Sequence, residues 1–382
     1  MKKIFISIIS LAIIVLAGLS IYKGALEQFA IDEEKKIEYD KNKWLYYYNQ
    51  LGKEEKEMYI RLDEGINSLE SNIHMGLFDS YVSRECIGKV ITALYNDKPE
   101  YYFLPKDYNI NSYKILGKEY ICVEFKYSVK DEKERKTKDM KLKAAVQQIV
   151  QNNVFSDMSD VEKEMLIHDA LAEQTKYYEY KNIEDIPYEK HTAYAALVDK
   201  EAVCDGISKA MLMLLREINI EGIVVYGQTE ETPHAWNLVK LGEEYYHVDV
   251  TSDTVILENK KYVVHNYLNV NDNEIVKTHN INRDFDVPKC EGKEYNYYTY
   301  KNYKIDYLQS MKSELRRIIN SQIGSPILEV KIDKLYSTND VIETLYFLDF
   351  NNWHTDNKKT VSYQLLSGGE VYVFENKTNH RI

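Results

Sequence analysis

The spacing of apolar and polar positions divides the chain into helical and strand-like stretches. From residue 26 to about 98 the apolar residues recur at helical steps. Across Lys53 to Met75 these are Met58, Ile60, Leu62, Ile66, Leu69 and Ile73. Cys86, Val90, Ile91 and Leu94 predict a second helix, which Asp97-Lys98-Pro99 breaks. Between Tyr101 and Val129 the period becomes two: Tyr120, Cys122, Glu124 and Lys126 alternate with Ile121, Val123, Phe125 and Tyr127, a strand signature. The mixed-sign run Lys130 to Lys143 reads as a solvated hinge leading into a helix. Ser159 and Glu162 have capping-box spacing ahead of a helix with Val161, Met165, His168, Leu171 and Ala172. His168-Asp169 on that semi-apolar face reads as a satisfied structural pair. After Cys204, the positions Ile207, Ala210, Met211, Leu214, Leu215 and Ile218 form one buried helical stripe. A strand over Ile223 to Tyr226 follows, then hairpin strands Ala235 to Lys240 and Glu244 to Val250 around Gly242. The tail has an amphipathic helix (Leu308, Met311, Leu315, Ile318, Ile319) and an alternating strand over Val371 to Phe374.

This order predicts an α+β protein: a mostly helical N-terminal region with a few strands (25–139), a central domain of helices on an antiparallel sheet (140–300) and a small α+β C-terminal domain (301–382). Ahead of these, residues 1–24 read as a signal anchor or signal peptide. Lys2 and Lys3 precede a nearly unbroken apolar run from Ile4 to Tyr22, long enough to span a bilayer core and longer than the usual signal-peptide segment. A retained anchor is favoured over cleavage near Gly18–Ser20. The two lysines on the short side place the body outside the cytoplasm.

Composition narrows the function. A net charge of −12 argues against nucleic-acid partners, because phosphate affinity comes from clustered Lys and Arg. The 34 tyrosines are expected mostly at the rim of the core. Cys86, Cys122, Cys204 and Cys290 sit far apart, so they suggest neither a disulfide framework nor a zinc knuckle. H-E-x-x-H, G-x-x-x-x-G-K-[ST] and G-x-G-x-x-G are absent, which disfavours metalloprotease, P-loop and standard dinucleotide chemistry. No cofactor or metal is expected.

The candidate chemistry lies between His191 and Asp253. Cys204 falls at a helix N-terminus, followed by Asp205 and Gly206, where free amides and the helix dipole favour a thiolate. A hairpin turn centred on Leu241-Gly242 puts His234 directly opposite Asp249. A two-residue change in the loop makes them diagonal, still within reach. Cys204, His234 and Asp249 can therefore converge as nucleophile, base and orienting acid. His247, on the same face as Asp249, is a rival base and reads as a packed strand residue.

The stretch TAYAALVDKEAVCDGISKA … PHAWNLVKLGEEYYHVDVT resembles the transglutaminase-like superfamily in its bacterial transglutaminase/protease-like form, densely from about 141 to 300. The resemblance implies a papain-like α+β core and a Cys-His-Asp triad at Cys204, His234 and Asp249. Two positions depart from the pattern: Ser252 where many relatives have an aromatic residue, and Ala195 where a glycine is common. The backbone amide of Cys204 is an oxyanion donor candidate, with Tyr194 as a second, while Trp236 is expected to shield the cleft. The implied function is thiol acyl transfer on a protein or peptide substrate, with water or an amine as acceptor. The competing reading is an inert, envelope-anchored scaffold that binds a partner.

Overall fold

A computed structural model describes residues 31–78, 84–105, 107–115, 118–230, 232–306, 310–332, 363–366 and 370–375. The apolar run Ile4 to Tyr22, on which the anchor expectation rests, lies outside the described residues, as does Leu308. Among the described residues no helix is long and apolar enough to cross a membrane. The chain forms two compact units, residues 1–137 and 138–382.

In the first unit, helices α1 (Glu33–Asp40) and α2 (Lys53–Asn67) precede strand β1 (Asn72–Phe78), helix α3 (Arg84–Asp97) and strands β2 (Tyr108–Ile115) and β3 (Lys118–Phe125). The three strands form an antiparallel sheet in the order β1-β3-β2. The stretch Lys53 to Met75, expected as a single helix, is a helix followed by a strand. The helix stops at Asn67, Leu69 turns left-handed at φ +54°, and Ile73 lies in a strand paired with Val123. Ile73 and Met75 bury one face of β1, so their spacing fitted a helix by coincidence of steps of two and four. The tyrosine expectation also needs amending. Tyr48, Tyr59, Tyr246 and Tyr298 are among the largest fully buried side chains. Burial is tolerated where a buried carboxylate accepts the hydroxyl: Tyr59 donates to Asp97 at 3.3 Å and Tyr298 to Glu329 at 2.8 Å.

Helix α4 (Glu132–Asn153) carries the chain into the second unit. Helix α5 (Asp160–Gln174) opens with the expected capping box at Ser159 and Glu162. A short parallel pair follows, β4 (Lys176–Tyr177) with β5 (Glu201–Ala202). Next come helix α6 (Cys204–Glu217) and strands β6 (Gly222–Thr229), β7 (Thr232–Leu241) and β8 (Glu244–Val248). The hairpin β9 (Thr254–Leu257) and β10 (Lys260–Val263), strand β11 (Leu268–Val270), the single turn α7 (Asp272–Ile275) and strand β12 (His279–Ile281) complete the centre. The main sheet is antiparallel, in the order β11-β8-β7-β6-β12. Beyond it lie the turn α8 (Tyr297–Tyr300), strand β13 (Lys304–Ile305), helix α9 (Met311–Ser321) and strands β14 (Ile327–Ile332), β15 (Tyr363–Leu365) and β16 (Val371–Glu375), whose sheet runs β13-β14-β16-β15. The fold is α+β.

Helix α6 is enclosed more fully than a single stripe implies. Asp205, Gly206, Ser208 and Lys209 are buried along with Ile207, Ala210, Met211, Leu214 and Leu215, while Ile218 caps the helix end and is half-buried. One side is bonded to the sheet: Ser208 Oγ donates to the Ala235 carbonyl at 2.9 Å, and Asn237 Nδ2 donates to the Ser208 carbonyl at 3.0 Å. On the other side a Cβ at position 206 would lie 2.7 Å from the Lys190 carbonyl oxygen and 2.8 Å from that of Thr192, so only glycine lets the segment close on the helix start.

Gly227 is a second close approach. A Cβ there would stand 2.0 Å from the Asn280 carbonyl oxygen on β12 and 2.9 Å from the Trp236 ring. Gly227→Ala is expected to push β12 off the sheet and cost about 1–3 kcal/mol, the range for overpacking. Chemical denaturation checks this; a loss below experimental error would show that β12 moves freely.

Candidate active site

Cys204 is the first residue of α6, half-buried, and packs with Tyr226 against Leu212, Val224 and Ala235. Its neighbour Asp205 is buried and pins the helix start, accepting from Tyr226 Oη at 2.8 Å and pairing with Lys209 at 3.1 Å. The first backbone amides of an α-helix have no intrahelical acceptor, so they are available to a group placed at Cys204.

The hairpin sets the other two residues. The turn is Gly242-Glu243, with Leu241 paired to Glu244 and Gly242 at φ +62°, where glycine bears no steric cost. The register is displaced by two from the directly opposed one, so His234 and Asp249 are diagonal neighbours. They still meet: His234 Nε2 lies 2.7 Å from Asp249 Oδ2. Because Nε2 faces the carboxylate, Nδ1 is the ring nitrogen left for the thiol. The Cys204 side chain acts on His234 electrostatically.

Burial works against a charged ring at His234. The Asp249 carboxylate, by charge and by hydrogen bond, and then the Cys204 side chain outweigh it, pushing the imidazole up to about 10. Asp249 is likewise opposed by its own burial, yet the charge of His234 and hydrogen bonds from His234 and His279 hold it well below the usual carboxylate range. The His234 contribution to stability is complete below the ordinary imidazole value of 6.5 and is lost as pH rises through about 10. That of Asp249 is present above 3.8 and lost on acidification. Unfolding free energies measured between pH 7 and 10 are therefore expected to fall more steeply in the wild type than in His234→Gln; parallel curves would contradict this.

Asp249 has more partners than a triad requires. Its Oδ1 accepts from the amides of Thr251 at 3.0 Å and Ser252 at 3.2 Å. Its Oδ2 accepts from both His234 and His279 Nε2, the latter at 3.0 Å. His279 was not among the residues singled out from the sequence. Thirty positions separate it from Asp249, and only the pairing of β12 with β6 brings it there. Tyr177 was also missed. It sits on β4, beside the strand that runs into Cys204, and burial first, then the charge of Cys204, pushes its phenol well above the ordinary range. Tyr177, His234, Ser252, Tyr267 and His279 share a cleft of about 920 Å³.

The remaining candidates occupy other surroundings. Trp236 is fully buried, its ring is stacked on His234 at 6.0 Å, and its indole N–H donates to His247 Nδ1 at 3.0 Å, so that N–H is committed away from the cleft. Tyr194 precedes the helical turn Ala195–Asp199, with the Lys138 ammonium 5.8 Å from its ring. His247 accepts from Trp236 on one nitrogen and meets Asp272 Oδ1 at 2.9 Å on the other. Burial, more than Asp272 offsets, lowers its pKa, so the ring is neutral. His247→Ala is expected to cost about 1–3 kcal/mol by leaving the Trp236 donor unpaired, while the geometry at Cys204 persists. Alkylation of Cys204 at the wild-type rate in a destabilised variant is the expected result; a lost alkylation rate in a folded protein would make His247 part of the site.

Residues 143–250 match the profile of the Transglutaminase-like superfamily. This segment is thus a transglutaminase-like domain, in a class that includes cysteine proteases and transglutaminases. No curated protein matches the chain. Among solved structures, a TGase is similar at 16% identity over 51% of this chain and 54% of its own, with a TM-score of 0.28. A candidate cysteine protease from Cytophaga hutchinsonii is similar at 12% identity over 38% of this chain and 65% of its own, at 0.23. Menin, solved for its binding site for the Mixed Lineage Leukemia protein, is similar at 14% over 57% and 41%, also at 0.23. The chain spans about half the length of that TGase.

Proposed function

We propose that the protein is a thiol acyl-transfer enzyme acting on peptide or amide carbonyls, with Cys204, His234 and Asp249 as its catalytic residues. The observation that supports this best is the position of His234: hydrogen-bonded to Asp249 through Nε2 at 2.7 Å, in electrostatic interaction with Cys204, and lining an open cleft. Cys204 Sγ attacks the carbonyl carbon, a C–S bond forms, and electron density moves to the oxygen, which the first amides of α6 face. His234 gives the proton taken from the thiol to the leaving amine, the C–N bond breaks, and a thioester remains. Water or a primary amine then attacks the thioester, His234 accepts its proton, and the thiol is restored. Asp249 keeps the ring oriented throughout. The N-terminal apolar run makes the proposed setting the outer face of a cell membrane, with envelope proteins or peptides as substrates.

Intact mass spectrometry tests the reading. Incubation with glutamine-containing and other acyl-donor peptides is expected to leave an acyl adduct on Cys204, which a primary amine or water discharges. The resulting product, amide or acid, identifies the acceptor. No adduct with any donor, in protein whose Cys204 alkylates readily, would favour the partner-binding scaffold instead.

A further inference from the structure

A second group of chemistry-bearing residues lies in the same unit, apart from the cleft. His168 and Asp169 are on α5, and His265 follows β10, 96 positions beyond Asp169. His168 Nδ1 lies 2.9 Å and His265 Nε2 3.0 Å from the same atom, Asp169 Oδ1. Ligand atoms from all three lie within 4.8 Å of one another. The far nitrogen of each ring faces a buried carboxylate: His168 Nε2 is 3.3 Å from Asp253 Oδ2, and His265 Nδ1 is 2.7 Å from Glu329 Oε1. For His265 this is the hydrogen-bonded arrangement that fixes the tautomer and orientation of a metal-ligating histidine, whereas His168 Nε2 and Asp253 Oδ2 face each other without a hydrogen bond.

Two further observations describe the surroundings of the cluster. Glu164, one helical turn before His168, is fully buried and interacts electrostatically with His168, Asp169 and His265. Its Oε2 accepts from Asn269 at 3.0 Å, whereas Oε1 has no hydrogen-bond partner, a costly state for a buried carboxyl oxygen. The cluster also has an entry path. Asp169, His265 and Glu329 line a cavity of about 630 Å³, and the Asp169 side chain is 35% exposed. His265 is held on the wall by stacking on Tyr297 at 3.7 Å.

We propose that His168, Asp169 and His265 bind one divalent transition-metal ion of the zinc class, with Glu329 orienting the His265 imidazole and Asp253 facing that of His168. Two imidazole nitrogens and a carboxylate oxygen are a donor set suited to such an ion rather than to calcium or magnesium, which take oxygen ligands. The ion takes the place of the protons now shared between Asp169 and the two rings, leaving the far N–H of His265 on Glu329 and that of His168 directed at Asp253. No short sequence motif reports the site, because its ligands come from distant segments. The expectation of a metal-free protein rested on such motifs alone.

The catalytic cluster also brings two histidines near one aspartate, so the test must separate the two. The intact chain is titrated with Co²⁺ and read by its visible d–d absorption, then back-titrated with Zn²⁺. Wild type, Cys204→Ser and His234→Ala are expected to bind one equivalent of Co²⁺ with no thiolate-to-metal charge-transfer band, and Zn²⁺ should displace it. Asp169→Asn and His265→Gln should each bind about a hundredfold more weakly or worse, with circular dichroism confirming that at least one stays folded. Three results would overturn the proposal: no Co²⁺ bound by wild type at micromolar concentration, binding that survives both cluster variants, or binding lost in Cys204→Ser or His234→Ala. The readout is metal occupancy, so failure here leaves the acyl-transfer reading standing.

Discussion

Cys204→Ala is expected to abolish the acyl adduct and to lower turnover by roughly 10⁴–10⁶-fold, because Cys204 is the thiol that interacts with His234 and so the group that forms the thioester. Among the described residues the other three thiols are unsuited to replace it. Burial pushes Cys86, Cys122 and Cys290 upward, and the last is fully enclosed. The substitution should leave the fold intact. Cys204 is half-exposed, and the helix start is held by Asp205, Gly206 and Ser208 rather than by the sulfur. A near-wild-type melting curve with no adduct by intact mass is the expected pair of results. Residual turnover within tenfold of wild type would place the chemistry elsewhere.

Asp249→Asn is expected to lose about 10²–10⁴ in rate with the fold retained. The side-chain oxygen that remains can still accept from Thr251 and Ser252, so the turn after β8 survives. The new amide nitrogen then faces His234 Nε2 and His279 Nε2, two positions that require an acceptor. To accept from that amide, His234 must move its proton to Nδ1, the side that faces the thiol, and can no longer take a proton there. The charge that pushes His234 up to about 10 is lost as well. The effect should fall on kcat more than on KM. A variant with wild-type kcat would remove Asp249 from the mechanism.

Parts of this arrangement were legible in the sequence because they depend on local rules. The capping box at Ser159, the apolar stripe after Cys204 and the turn at Gly242 each follow from spacing within one element. The diagonal His234–Asp249 contact needed only the tolerance of a hairpin to a two-residue shift. What was hidden depends on long-range pairing. His279 reaches Asp249 because β12 adds to the edge of β6, and Gly227 is what lets Asn280 approach. Tyr177 reaches the site through a two-residue parallel strand. The strand at Ile73 was obscured because helical and strand spacings share every fourth position, and only pairing with Val123 separates them. His168 was expected to be a satisfied structural residue; it is buried among carboxylates, but only Nδ1 is hydrogen-bonded and Nε2 has no hydrogen-bond partner. The convergence of His265 on the same oxygen lies beyond any periodicity.

The most direct test of the account is the rate at which iodoacetamide alkylates Cys204 at neutral pH in wild type and in His234→Ala, read by peptide mapping. If the two residues act as one unit, Cys204 should label ahead of Cys86, Cys122 and Cys290 in the wild type, and removing the imidazole should slow it about tenfold or more. Equal rates in the two proteins, with Cys204 no faster than the other thiols, would contradict the account.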